Sequence, residues 1–175
     1  MAVVSHSSKN EQERILQFAE QDFKYYYELI TGSQLSVIYV NSIDLLDDSE
    51  GYFILGKTLA ESKGLPFDGL YTDSGYKIYK TTEGIYLYGN TEYGTLNAVY
   101  ALLNQLFGLE IYTDTVYEYS NTVFDYFIVE NTTFNPSLDN LWAMDGAISS
   151  NDSKTVNTTY QRRLGYVNSW QIYSG

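Results

Sequence analysis

Residues 75–107, GYKIYKTTEGIYLYGNTEYGTLNAVYALLNQLF, contain the two patterns that decide the fold. In the first half, side chains alternate at period two on both sides of Thr82-Glu83-Gly84, which is typical of two strands joined by a tight turn. In the second half, apolar residues recur at helical spacing over 91–107, and Gly108 follows as a typical helix end. The stretch therefore predicts a β-hairpin followed by an amphipathic helix.

Further elements are predicted on either side of this stretch. An amphipathic helix leads up to Ile30 and stops at Gly32, and a short helix covers 58–63. Apolar, β-branched and aromatic runs predict strands at 2–4, 35–40, 52–56, 110–112, 116–119 and 126–129. Strands and helices in this order favour an α/β (α+β) fold of two layers, a mixed β-sheet with two main helices packed on one face.

Composition excludes several classes of function. The chain has 175 residues, 19 tyrosines and a formal net charge of -12, so it is tyrosine-rich and acidic and would repel nucleic-acid phosphates. It has no cysteine and a single histidine, His6, so thiolate or multi-histidine metal sites and cysteine or histidine-based catalysis are not expected. No cofactor is expected, and no apolar run reaches the roughly 20 residues of a membrane span.

The carboxylates lie mainly in predicted loops. Hydrolysis of a glycosidic bond needs two carboxylates on either side of the sugar, in a deep pocket. Here the acids follow strands as loop clusters, which favours solvated side chains that support turns; these acids are Asp44, Asp47, Asp48, Glu50, Asp68 and Asp73. A calcium loop at 44–51 is an alternative with poor spacing. We therefore expect no catalytic residues and no metal site in this chain.

Three segments carry a resemblance to a known family. They are 53–60 (FILGKTLA), the hairpin of 75–88, and 94–103 (GTLNAVYALL) followed by 107–113 (FGLEIYT). In this order they resemble the N-terminal accessory α/β domain of glycoside hydrolases of families 20 and 67, the β-hexosaminidase and α-glucuronidase types. The chain is most similar to bacterial proteins of unknown function that carry this domain ahead of a glycosidase-like barrel.

The resemblance implies a domain organisation. Residues 1–135 would be the accessory domain, and 136–175 a linker and the start of a (β/α)8-like barrel that is missing from this chain. Its partner would be that barrel in the same polypeptide, which would carry the catalysis. The inter-domain contact would involve the aromatic and basic side chains of the last segment, Trp142, Arg162, Arg163 and Trp170. We expect an extracellular or cell-surface protein, although this chain shows no signal peptide.

The tyrosines allow a second hypothesis, a stand-alone carbohydrate-binding module. An aromatic ring offers an apolar face that suits the C–H face of a sugar. On the hairpin, Tyr76 could share a face with Tyr86 or Tyr88, depending on the strand register. Tyrosine also fills half-buried strand positions readily, so these rings could equally be core residues. In this hypothesis Tyr76, Tyr86 and Tyr88 bind polysaccharide.

Overall fold

The computed structural model describes residues 1–6, 13–47, 51–112, 116–120 and 128–137. These residues form three helices and eight strands, with a 3-10 turn at Ile43–Leu45. The helices are α1 (Glu13–Thr31), α2 (Lys57–Ser62) and α3 (Glu92–Phe107). The strands are β1 (Ala2–His6), β2 (Ser36–Val40), β3 (Tyr52–Leu55), β4 (Tyr76–Lys80), β5 (Gly84–Gly89), β6 (Glu110–Ile111), β7 (Tyr117–Glu118) and β8 (Thr132–Phe134).

Six of the strands form one mixed sheet, in the order β2-β1-β3-β5-β4-β8. Neighbours among β2, β1, β3 and β5 are parallel, whereas β4 is antiparallel to both β5 and β8. The short strands β6 and β7 pair with each other outside this sheet. The α/β fold class with a mixed sheet, predicted from the sequence, is confirmed.

The two long helices pack on the same face of the sheet, as predicted. Phe23 of α1 lies against Phe53 of β3, with ring centroids 4.8 Å apart and the rings nearly perpendicular. The buried face of α3 adds leucines and Val99 to the same cluster. On this face the core consists of side chains with little or no exposure, among them Val3, Ala19, Phe23, Leu55, Ile78, Leu87, Leu96, Leu102 and Leu103.

The opposite face of the sheet is also covered near its centre. Leu59 and Ala60 of α2 pack with Ile54 and two tyrosines of β5, and all are completely buried. Strand β3 is therefore buried on both faces, which explains why 52–55 is an uninterrupted apolar and aromatic run. The two predicted layers are thus joined by a small third layer of one short helix and its following loop.

The last strand of the sheet lies later in the chain than the sequence predicted. A strand was expected at 126–129; Ile128 and Val129 belong to no strand, and 126–127 lie outside the described residues. Instead Thr132–Phe134 pairs with β4 at the edge of the sheet. A three-residue edge strand of two threonines and a half-exposed phenylalanine is too short to show a period, so pattern reading misses it.

One surface ion pair predicts a dependence of stability on pH. The ammonium of Lys63, at the end of α2, is hydrogen-bonded to the carboxylate of Glu83 in the β4–β5 turn. That bond, with one from Thr81, lowers the pKa of Glu83 to about 2. The Glu83 carboxyl of the unfolded chain titrates at about pH 4.3. The pair therefore stabilises the fold above that pH. Its contribution is lost as the pH falls from about 5 to about 2.

We therefore expect Glu83→Gln to reduce the free energy of unfolding by about 1 kcal/mol at neutral pH, since both groups are partly exposed. The difference from the wild type should vanish as the pH approaches 2, which urea unfolding across the acid range would measure. Glu61→Gln is the matched control: its exposed pair with Lys57 should contribute little at any pH. An unchanged difference between neutral and acid pH would contradict the assignment.

Candidate functional site

The hairpin register separates the three tyrosines proposed to bind sugar. Tyr76 lies opposite Gly89, whereas Tyr88 lies opposite Lys77 and Tyr86 opposite Tyr79. Because side chains alternate along a strand, Tyr76 points toward the face of α1 and α3, while Tyr86 and Tyr88 point toward the other face. The shared face of Tyr76 with Tyr86 or Tyr88, which the sequence allowed, is therefore wrong.

Tyr86 and Tyr88 are core residues, each with no exposed surface. The Tyr88 hydroxyl donates a hydrogen bond to the Pro66 carbonyl at 2.9 Å, and its ring packs on Phe67. Burial raises the pKa of Tyr86 to about 12 and also raises the pKa of Tyr88. Neither ring is available to stack on a sugar, so the exposure that the binding hypothesis required is absent for both.

A buried lysine that sequence reading missed lies beside these tyrosines. The Lys77 side chain is only 7% exposed and its ammonium lies 3.4 Å from the Asp68 carboxylate, which is largely exposed. The pair connects β4 to the loop 64–75. In the sequence Lys77 resembles an ordinary surface lysine and gave no signal, because only the register places it on the covered face.

Three glycines bring α3 into backbone contact with the hairpin. A Cβ on Gly94 would lie 2.2 Å from the Gly75 carbonyl oxygen, and one on Gly89 would lie 2.6 Å from the Gly94 Cα. The helix begins here, with the Thr91 side chain accepting a hydrogen bond from the Gly94 amide. The start of the segment 94–103, one of the segments that carry the resemblance, therefore packs against the hairpin inside the domain.

The loop 64–75 is held by side chains that follow β5 and lie on α3. Asn90 donates to the Leu70 carbonyl at 3.2 Å, Thr91 to the Asp73 carbonyl at 2.5 Å, and Asn97 to the Ser74 carbonyl at 2.9 Å. Such bonds satisfy loop carbonyls that would otherwise need water. The loop is therefore fixed against the N-terminal end of α3.

The same loop is also fixed to the end of β8. The Asn135 side chain donates to the Gly69 carbonyl at 2.6 Å and accepts from the Tyr71 amide at 2.9 Å. Phe134, next to it, packs on Tyr76 with ring centroids 5.4 Å apart. Yet Tyr71 is 82% exposed and Phe134 is 48% exposed.

The loop acids and the inter-domain residues considered in the sequence are only partly covered by the described residues. Asp44 accepts a hydrogen bond from Ser42 at the start of the 3-10 turn, as a turn-supporting acid does; Asp48 and Glu50 lie outside the described residues. Within the described ranges, no group of three or more His, Cys, Asp or Glu side chains is placed to hold a metal ion. The inter-domain residues Trp142, Arg162, Arg163 and Trp170 also lie outside the described residues.

The fold defines this protein as an α/β domain with a six-stranded mixed sheet. Across the residues described, no helix has both the length and the apolar character to cross a membrane. No family model matches the chain, and no curated protein matches it. A distant structural neighbour is a carbohydrate-active enzyme, a GH138 enzyme targeting pectin rhamnogalacturonan II, at 13% sequence identity and a TM-score of 0.46. The similarity covers 79% of this chain and 12% of that one.

Proposed function

We propose that residues 1–135 are a non-catalytic accessory domain that packs against a glycosidase-like barrel of the same polypeptide. One observation carries the proposal: among the described residues, the last strand of the main sheet ends at Phe134, directly before the linker that the family resemblance places from residue 136. The resembling segments 53–60, 75–88 and 94–103 lie in this sheet and its helices, where their leucines contribute to the core and their glycines allow close backbone contact. The domain would stabilise its neighbour and shape one side of a cleft, and the whole protein would act outside the cell or at its surface.

The buried acids of the first long helix support this proposal. The Glu20 carboxylate accepts a hydrogen bond from the Tyr39 hydroxyl at 3.0 Å, and Asp22 accepts one from the Tyr100 hydroxyl at 2.5 Å. The first bond joins α1 to the edge strand β2, and the second joins α1 to α3. These two carboxylates connect helices and a strand through hydrogen bonds. Such a structural role is what we expect of buried acids in a domain that is not catalytic.

The proposal predicts that this chain has no glycosidase activity of its own. We expect no hydrolysis of a panel of aryl glycosides above the buffer rate, measured with a characterised glycosidase as positive control. Asp44→Asn and Asp68→Asn are suitable variants, because Asp44 lies in the 3-10 turn and Asp68 in the loop after α2. Turnover by the wild-type chain that disappears in a carboxylate variant would refute the proposal. A barrel encoded directly after Gly175 would support it.

The alternative, a stand-alone carbohydrate-binding module, now depends on a different residue. Tyr71 presents the most exposed aromatic ring among the described residues, on a loop that is already fixed. A glycan array separates the two proposals. Binding that is lost in Tyr71→Ala and retained in Tyr25→Ala would favour a binding module, whereas an array without any signal would count against it.

A further inference from the structure

The two edge strands of the main sheet differ in how they are protected. Strand β8 has three residues, whereas β2 at the opposite edge has five, Ser36–Val40. Natural sheets protect an edge by making it short, charged, bulged or proline-containing, because its backbone groups can pair with another chain. Strand β2 is uncharged (SVIYV), pairs with β1 in regular register, and among the described residues has a neighbouring strand on one side only. Its outer edge therefore remains open to a further strand.

Strand β2 also exposes apolar side chains on both faces of the sheet. Ile38 is 36% exposed and lies opposite Val4, which belongs to the core under α2. Tyr39 is 59% exposed on the other face, where its hydroxyl donates a hydrogen bond to Glu20 of α1 at 3.0 Å. That bond holds the tyrosine ring at the edge while the ring stays accessible. Pairing with a further strand would therefore remove apolar surface from water on both faces.

We propose that β2 pairs antiparallel with β2 of a second copy of this chain, so that the mixed sheet continues across a two-fold axis. The strand is complementary to itself. With full overlap, the opposite pairs between the two copies are Ile38 with Ile38, Val37 with Tyr39, and Ser36 with Val40. Pairs of aromatic and β-branched residues are among those that stabilise antiparallel strands. Because both copies use the same surface, the contact closes at a dimer.

Charge favours the antiparallel orientation over the parallel one. Each copy has a formal net charge of -12, so acidic side chains that meet across the contact would oppose it. Asp44 is exposed just after the end of β2, whereas the residues before the strand, 32–35 (GSQL), are uncharged. Antiparallel pairing brings the acidic end of one copy to the neutral end of the other, while parallel pairing would bring the two Asp44 carboxylates together. The remaining repulsion between the copies is screened by salt, so added salt should strengthen the dimer.

Sedimentation equilibrium of the whole chain over a range of concentrations tests for the dimer. A contact through one short strand is smaller than the standard interface of about 800 Å² per partner, so the dimer should be weak and reversible. We expect the measured mass to rise from 20.0 kDa toward twice that value as concentration increases. Ile38→Lys places two like charges against each other at the two-fold axis and should weaken the dimer about a hundredfold or more.

Tyr71→Lys is the matched control for this substitution. It makes the same change of charge at an exposed ring, on a loop that is fixed to the end of β8 at the opposite edge of the sheet. The dimer should therefore persist in this variant. Far-UV circular dichroism and urea unfolding establish that each variant is folded.

Single-cysteine variants test the register and decide the matter if Ile38→Lys does not fold. The chain has no cysteine, so each new thiol is the only one in its copy. Opposite residues of antiparallel strands have Cα atoms about 4.5–5.5 Å apart, which is within the range that a disulfide spans. Under copper-phenanthroline oxidation, Ile38→Cys should form a covalent dimer that dithiothreitol reverses. Ser36→Cys, whose thiol would lie opposite Val40 of the second copy, should remain mostly monomeric.

Four outcomes would overturn the proposal. The first is a wild-type mass that stays at 20.0 kDa at every concentration. The second is a dimer that persists in Ile38→Lys or that Tyr71→Lys weakens equally. The third is a dimer that added salt dissociates, and the fourth is cross-linking of Ser36→Cys as efficient as that of Ile38→Cys. Dimer formation is independent of the accessory role, so turnover of glycosides would refute that role and leave the dimer intact.

Discussion

Phe53→Ala is expected to lower the free energy of unfolding by about 3–5 kcal/mol, as large truncations in a closed core do. Phe53 has no exposed surface and lies at the centre of the sheet, on the face covered by α1 and α3. Its ring packs edge-on against Phe23 and also lies near Tyr27 at 6.1 Å. Because strands on both sides hold the backbone of β3 in place, the surrounding structure cannot collapse into the cavity.

Urea unfolding followed by circular dichroism would measure this loss. A domain of this size is typically stable by about 5–15 kcal/mol, so the variant should be partly unfolded under mild conditions. Phe53→Leu, which retains most of the volume, should lose far less. Leu45→Ala is the surface control, since Leu45 is 71% exposed, and it should change stability by no more than about 0.5 kcal/mol. A Phe53→Ala loss similar to that control would show that the core has been misassigned.

Gly94→Ala is expected to destabilise the domain by about 2 kcal/mol or more, through a backbone clash. Alanine is favoured over glycine in a helix by about 1 kcal/mol, so helix propensity alone predicts a more stable protein. The added Cβ, however, would lie 2.2 Å from the Gly75 carbonyl oxygen and 2.9 Å from the Gly89 Cα. Both are backbone atoms at the hairpin, so relief requires moving α3 away from β4 and β5, and overpacking of this kind typically costs about 1–3 kcal/mol or more.

Gly51→Ala is the matched control for this substitution. A Cβ at Gly51 would meet only the Met1 side chain, at 3.8 Å, and its backbone is not in the left-handed region. It should therefore leave the urea midpoint nearly unchanged. If Gly94→Ala stabilised the protein as helix propensity predicts, the close approach of α3 to the hairpin would be disproved.

The periodic apolar patterns that extend over several residues predicted the helices and most of the sheet. The apolar stripes of α1 and α3 and the strand runs at 36–40, 52–55, 76–80 and 84–89 were each recognised within one or two residues. Such signals are local, because every turn or residue pair repeats the same contact with one core. Strand β8 (Thr132–Phe134) was not recognised, since its pairing with β4 depends on neighbours more than fifty residues earlier.

The candidate site was less accessible to sequence reading. On α1, Tyr25 is 49% exposed while Tyr26 and Tyr27 are buried, because three consecutive helical residues cannot share one face. Nothing local, however, distinguished buried Tyr88 from exposed Tyr71, because both lie in polar, tyrosine-rich sequence. Only the assembled sheet shows that one ring is covered by the loop after α2 while the other lies on that loop's outer side.

The sequence by itself determined the fold class, the two helices on one face and the hairpin, since these follow from periodicity and glycine positions within short stretches. Tertiary structure alone decided which face each hairpin tyrosine occupies, why Gly94 must lack a side chain, and how the loop that carries the exposed Tyr71 is fixed. Those properties depend on strand register and on the approach of distant backbones, and no residue's immediate neighbours in the chain specify either.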